Sequence, residues 1–280
     1  MAERYNVCLV QPESYLHSGA FLELAELLHY ALIDLGFSSR LSVNRLDAFG
    51  RNIVIGAHLF SAQAIARLPQ STIILNTEQL GSREHPWTDV MLNLARRFVM
   101  WDYSAANIAF FEGERVAGVR LLKLGFQRQL ARLKPVSDPD IDVLFYGSIG
   151  ERRQSVIDAL LARGVTVRVL FGTYGRQRDQ EIERAKLVLN CHHYDRHIFE
   201  VVRVFYLLCN RIPVVAEIGP NTEVEPEFRS AVAATAYEEL ADQCLRLLND
   251  EAARAAVAER GYAVINQRPQ SELIRSLVVT

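Results

Sequence analysis

Short, dense apolar runs alternate along this chain with longer stretches whose apolar positions recur at helical spacing. The runs Tyr5–Val10 (YNVCLV), Asn52–Gly56 (NIVIG), Ser71–Leu75 (STIIL) and Phe98–Trp101 predict buried strands, with further ones at Leu41–Val43 and Arg120–Leu124. Between them the spacing predicts helices over Phe21–Leu35, Ser61–Arg67, Trp87–Arg96 and Ser104–Phe111. Gly36 ends the first of these and Pro69 stops the second. The rhythm then restarts. Strands are predicted at Asp142–Tyr146, Thr166–Phe171, Leu187–Leu189 and Pro213–Ala216. Helices are predicted at Arg153–Ala162, Arg178–Lys186, Phe199–Cys209, Tyr237–Leu248, Glu251–Glu259 and Gln270–Val278. Strands alternating with helices imply βαβ units, so the fold class is α/β with two parallel-sheet halves. The stretch 127–140, ending in PVSDPD, reads as a linker.

Polar residues set among the apolar runs mark the candidate chemistry, because a buried polar group must be hydrogen-bonded or used. The densest cluster follows Leu187–Leu189: Asn190, His192, His193 and Tyr194, with Glu200 and Arg203 one helical turn apart in the apolar helix beyond. These groups suit hydrogen bonding to a sugar or phosphate; an internal Glu200–Arg203 pair is the structural alternative. No HExxH or carboxylate spacing completes a metal site there, so no metal is expected.

Two further loops lie on the same side. Gly147 and Ser148, with Arg152 and Arg153, follow strand DVLFY, where backbone amides, a helix N-terminus and guanidinium groups can face a diphosphate. Tyr174, in the loop FGTYG, could stack on a base. Either loop could instead be a plain turn. In the first half, His17, Ser18 and Gly19 stand where a helix starts. His17 could be a general base, or Ser18 a mere cap. Glu78 and Asp102 sit just past strands and could act on an acceptor hydroxyl, although Asp102 also suits a helix cap.

Composition narrows the choice of class. The chain has 280 residues, 50% of them apolar, enough for a sizeable core, and a net charge of -2 that offers no electrostatic case for nucleic acid or a membrane surface. The four cysteines form no CxxC pair, and three of them, set in apolar runs, read as buried hydrophobes. The start (MAERYNVCLVQPES) breaks too early for a signal peptide and no apolar run reaches a membrane span, so a cytoplasmic setting is expected. There is no GxGxxG after the first strand, no GxxxxGK[ST] and no GxSxG.

DVLFYGSIGERR resembles the strand and glycine loop that open the nucleotide-sugar domain of the GT-B glycosyltransferases. FEVVRVFYLLCNRIPVVAE resembles that superfamily's donor-site helix and following strand. With NTEQ and WDYS upstream, the chain is similar to bacterial and phage glycosyltransferase-like proteins near the CgeB group. The resemblance implies two Rossmann-like domains facing a cleft, with a C-terminal helix packing back towards the first domain. It implies an acceptor-side domain over 1–126, a linker over 127–140, a donor domain over 141–262 and a terminal helix over 263–280.

It further implies transfer of a sugar from a nucleotide diphosphate sugar, expected to be UDP-linked, to an acceptor hydroxyl, with no cofactor and no metal. The acceptor (glycan, lipid-linked sugar, protein or modified nucleic acid) is left open. Gly147 and Ser148 would face the diphosphate, and Glu200 falls near the first acid of the family's paired-glutamate motif. Arg152, Arg153, Tyr174, Asn190, His192, His193, Tyr194 and Arg203 complete the expected donor side. His17 and Glu78 are the expected catalytic groups; Ser18, Gly19 and Asp102 the acceptor side. Two departures stand out: Tyr206 occupies the place of the second acid, and Asn210–Arg211 that of a usual glycine. Three rivals follow: a catalytically silent nucleotide-sugar-binding subunit, a sugar-phosphate epimerase-like enzyme, and a phage DNA-base glycosyltransferase.

Overall fold

The computed structural model describes residues 3–13, 15–80, 86–193 and 198–278, and these form two compact units. One takes the chain through Gln127 and again from Pro269 onward; the other is Arg128–Arg268.

In the first unit, β1 (Arg4–Leu9) leads through a 3-10 turn (Leu16–Phe21) and α1 (Leu22–Asp34) to β2 (Ser38–Val43). There follow β3 (Arg51–Ile55), α2 (Ala62–Ala66), β4 (Ile73–Asn76), α3 (Thr88–Arg97), β5 (Val99–Asp102), α4 (Ala105–Gly113) and β6 (Arg120–Leu121). The sheet is parallel throughout, in the order β2-β1-β3-β4-β5-β6. Strands β1, β3 and β4 are covered on both faces, which is why they read as unbroken apolar runs rather than alternating ones. The C-terminal helix Gln270–Val278 packs on α1. Buried Gln270 fastens it: its amide donates to the carbonyl of Lys123, its Oε1 accepts from Gly125 N–H, and its own N–H donates to Phe126.

The second unit runs β7 (Ile141–Tyr146), α5 (Glu151–Leu161), β8 (Val167–Leu170), α6 (Gly175–Glu183), β9 (Ala185–Asn190), α7 (Val201–Cys209), β10 (Val214–Glu217), α8 (Pro226–Ala231), β11 (Ala233–Thr235), α9 (Leu240–Leu248) and α10 (Glu251–Asn266). Its sheet is also parallel, ordered β11-β10-β9-β7-β8. Helix α10 lies close on α7 and α8: a β-carbon at Gly261 would meet the Ala231 carbonyl at 2.7 Å and Leu208 at 2.8 Å. The stretch read as a linker is fastened to this unit from residue 128 onward. The N–H groups of Arg132 and Leu133 donate to the Asn210 side chain, and that of Val136 to the Glu183 carbonyl. That use of Asn210 accounts for an amide where a glycine was expected.

Both sheets reverse direction beside their first strand. The chain passes from β7 to β8 on one side, then returns to β9 on the other, so the loops after β7 and β9 part at a switch point. Open α/β sheets bind ligands at such crevices. In the first unit the corresponding pair is β1 and β3. No helix is long and apolar enough to cross a membrane among the described residues.

Candidate functional site

At the β7/β9 switch point the backbone turns at Gly147 with φ +138°, a region L side chains rarely adopt. A β-carbon there would lie 2.9 Å from Arg203 Nη2 and 3.5 Å from Arg153 Nη1. Glycine therefore lets two guanidinium groups crowd onto the turn. Arg153, buried in α5, spans the crevice: Nε donates to the Cys191 carbonyl (2.9 Å), Nη1 to the Ser148 carbonyl (2.8 Å) and Nη2 to Glu200 (2.5 Å). Glu200 pairs through its other oxygen with Arg203 and accepts from Asn190 (3.3 Å). Arg152 forks onto Glu217 (2.7 and 3.0 Å), and its guanidinium lies 4.0 Å over the Tyr237 ring. Glu217 in turn accepts from the His192 N–H (2.9 Å).

Three helices, α5, α6 and α7, begin at this sheet edge. None of their N-cap residues, Gly150, Tyr174 and Glu200, turns a side chain back to cap its helix. Their positive ends add to the arginines. Arg203 lies 5.2 Å over the Tyr146 ring, and Arg178 approaches the other neighbours at 5.7 Å (Tyr146) and 5.0 Å (Tyr206). The arrangement is therefore a cationic sheet edge with the carboxylates Glu200 and Glu217 already committed to arginines.

Titration follows the same logic. Burial pushes the Glu200 carboxyl up, but Arg203 and Arg153 outweigh it and hold the group below the ordinary carboxylate range. Burial, with Arg153 and Arg203 beside it, lowers His193 and so keeps the ring neutral. Burial raises the Tyr174 phenol against the pull of Arg203 and Arg178. Burial and the Glu217 charge push the Cys191 thiol up to about 12, which removes it as a nucleophile.

In the first unit, the loops after β3 and β4 bring His58 and Glu78 together. His58 Nε2 lies 3.5 Å from Glu78 Oε1, and the Trp87 ring sits 4.9 Å from the imidazole. Burial raises the Glu78 carboxyl to about 7. Its backbone is held firmly: Asn76 Oδ1 accepts from Glu78 N–H, and the Glu78 carbonyl accepts from Asn76 and Asn107.

Asp102, expected on the acceptor side, is fully buried. Its carboxylate accepts from Asn76 (2.6 Å), Asn107 (3.1 Å) and the Ser104 N–H (2.8 Å), so it shapes this edge instead of facing it. The cap of α4 is Ser104. His17 is half-buried in the 3-10 turn with its ring edge-on to Tyr15 (5.6 Å), Ser18 is buried and Gly19 is half-buried.

The second unit thus brings Gly147, Ser148, Arg152, Arg153, Asn190, His192, His193, Glu200 and Arg203 to one crevice, with Tyr174 at its side. Tyr194 lies outside the described residues. Sequence reasoning missed His58, Glu217 and Arg178. Glu217 carried a signal, a carboxylate closing the buried run PVVAE. His58 carried a weaker one, a histidine just past the strand NIVIG. Among the described residues no group of three or more His, Cys, Asp or Glu is placed to hold a metal ion.

The architecture is that of the two-domain GT-B glycosyltransferases. Over the whole chain it superposes on Anabaena Alr3699/HepE, solved in complex with UDP and glucose, with a TM-score of 0.64 and 15% identity, covering 100% of both chains. It is similar to the DNA-modifying enzyme β-glucosyltransferase, solved with and without uridine diphosphoglucose (TM-score 0.60, 11% identity, 98% of each chain). It is also similar to T4 phage BGT in complex with UDP and Mn2+ (TM-score 0.56, 11% identity, 98% of each chain). At such identities the likeness shows the fold. No protein-family model matches the chain. In sequence it is 27% identical over 184 residues to uncharacterized protein L140 of Acanthamoeba polyphaga mimivirus, covering 64% of this chain and 59% of that one. It is 28% identical over 157 residues to uncharacterized protein L137 of the same virus, covering 53% of this chain and 21% of that one.

Proposed function

We propose that the protein is a glycosyltransferase that moves a sugar from a nucleoside diphosphate sugar, a UDP-sugar in the first instance, to an acceptor hydroxyl without a metal ion. The observation that carries this reading is the crowding of Arg153 and Arg203 onto the Gly147 turn at the β7/β9 switch point. In the proposed reaction the bond between the anomeric carbon and the diphosphate oxygen breaks, and charge grows on the leaving diphosphate. Arg203, Arg153 and the amide end of α5 are fixed before that charge appears, which is the condition for electrostatic stabilisation. Arg152, Glu217 and Glu200 hold these groups in place. Asn190 Oδ1 is buried at the same edge without a hydrogen-bond partner and suits a sugar hydroxyl.

The acceptor proton passes to Glu78 as the acceptor oxygen bonds to the anomeric carbon. A carboxyl poised near neutral pH suits a general base, and His58 orients it. His17 remains the other candidate for this role. The motif resemblance to the CgeB group belongs to this reading and rests on the sequence alone, as do a cytoplasmic setting and the acceptor classes.

Titration calorimetry with UDP and UDP-glucose, followed by assay of UDP release, tests the proposal. Binding of both ligands, lost in Arg203→Ala, is expected; absence of binding to any nucleoside diphosphate overturns it. One observation favours the silent nucleotide-sugar binder as a second reading: Tyr206 stands in place of an acid and faces Asp179 and Arg132. Binding without turnover across a broad acceptor panel selects that reading.

A further inference from the structure

The second unit carries a cavity lined by none of the switch-point residues. It is a groove of about 580 Å³ formed by α8, α9, α10 and the edge strand β11. Small side chains make the room: Ala234, Ala253 and Ala256 give it a shallow apolar surface, over the buried Val232, Leu247 and Val257. Each helix contributes one exposed arginine: Arg229 from α8, Arg246 from α9 and Arg260 from α10.

The charge on this rim has no direct carboxylate partner among the described residues. The carboxylates nearest along the chain are engaged elsewhere: Glu225 and Glu227 with Arg268, Asp242 with Arg163, Glu259 with Arg211, and Asp250 with the Ala253 N–H as the cap of α10. The three rim arginines bond only uncharged oxygens. Arg229 donates to the Gly219 carbonyl (3.2 Å), Arg260 to the Ser230 carbonyl (2.7 Å) and Arg246 to the Gln243 side chain (3.1 Å). Among the described residues none of the three has a carboxylate partner. Those bonds orient the guanidinium groups and leave their charge intact, on a chain whose net charge is -2. Three planar forks around one groove match the several oxygens of a phosphate better than a single carboxylate. The groove volume falls in the range of small-ligand sites.

We propose that this groove is a separate binding site for an organic phosphate, its phosphate on Arg229, Arg246 and Arg260 and its apolar body over Ala234, Ala253 and Ala256. The proposal does not rest on the glycosyltransferase reading. The test titrates phenyl phosphate and inorganic phosphate into the full chain while following the arginine Nε–Hε signals by NMR. Phenyl phosphate is expected to shift the signals of all three arginines and to bind roughly tenfold more tightly than inorganic phosphate, the gain of burying one ring face.

The double variant Arg246→Ala/Arg260→Ala, at exposed positions, is expected to keep its melting temperature and lose the Arg229 shift. Arg203→Ala is expected to leave all three shifts in place, which separates this groove from the switch point. Equal affinity for the two probes overturns the organic ligand. No shift in the wild type, or unchanged binding in the double variant, overturns the site.

Discussion

Arg203 Nη2 stands 2.9 Å from the point a β-carbon on Gly147 would occupy. The Gly147→Ala substitution therefore does two things. It places an L side chain at φ +138°, at a cost of about 1–3 kcal/mol, and it drives Arg203 off the turn. At about 2–4 °C per kcal/mol for a domain of this size, the melting temperature drops by several degrees. Affinity for UDP falls at least about tenfold, the equivalent of one lost charge-assisted bond. Adding Arg203→Ala recovers part of the melting temperature and none of the affinity. A Gly147→Ala protein that binds UDP as the wild type does would detach Arg203 from the ligand.

Glu200 joins Arg153 to Arg203, and removing it leaves two guanidinium groups facing each other. Breaking a buried pair in this way costs about 3–5 kcal/mol, so Glu200→Gln is clearly less stable at neutral pH. The sign of the pH dependence follows from the depressed carboxyl. Stability from this group is fully present above its ordinary value of 4.5 and is lost as pH falls through the lower folded value. Urea melts of wild type and Glu200→Gln should differ most near neutral pH and converge in acid. A gap that stays constant into acid would show that Glu200 is not the titrating partner.

Most of the architecture was legible because parallel strands covered on both faces appear as unbroken apolar runs, as in YNVCLV, NIVIG and DVLFY. The helix at Pro226–Ala231 and the strand Ala233–Thr235 escaped notice, since EFRSAVAATA holds small residues that favour neither period. The donor-side crevice was legible in kind: Gly147, Arg153, Asn190, Glu200 and Arg203 all lie at strand ends or first turns. What no single stretch reveals is pairing across strands. Glu217 meets Arg152 from 65 positions away, and His58 meets Glu78 only because β3 and β4 are neighbours.

Glu78 is the reverse of Glu200. Burial raises its carboxyl from 4.5 to about 7, so the folded state holds a proton there that the unfolded chain has lost. Stability is therefore surrendered as pH rises from 4.5 through about 7, by up to about 3 kcal/mol. Glu78→Gln, which cannot ionise, should be more stable than wild type at pH about 8 and equal to it near pH 4, while sugar transfer falls by about 10²-fold or more. Thermal melts across that range together with UDP release decide the matter. A Glu78→Gln protein that keeps wild-type turnover would pass the base role to His17.

The proposed charge stabilisation uses arginines and helix ends, so UDP release from UDP-glucose should persist in EDTA and change less than about twofold on adding Mg2+ or Mn2+. Activity that vanishes in EDTA and returns with Mn2+ would place a metal ion on the diphosphate in their stead.

Tyr206 occupies the place where the family resemblance calls for a second acid, yet it is buried in other business. Its hydroxyl donates to Asp179 (2.9 Å) and accepts from Arg132 (3.2 Å), and the Arg132 guanidinium lies 5.5 Å from the ring. Burial and the Asp179 charge push the phenol far above its ordinary range, so it stays a donor at every working pH. Tyr206→Phe removes one bond each from Asp179 and Arg132, but Asp179 keeps Arg178 (2.7 Å) and lies 3.8 Å from Arg132, so the cost is about 1 kcal/mol. Tyr206→Glu, which restores the family's acid, sets a second carboxylate against Asp179 and is the less stable of the two. It gains no affinity for UDP, because the side chain does not reach solvent at the crevice: Tyr206 is 2% exposed. Calorimetry on both variants checks this, and tighter UDP binding by Tyr206→Glu would show that the position still addresses the ribose.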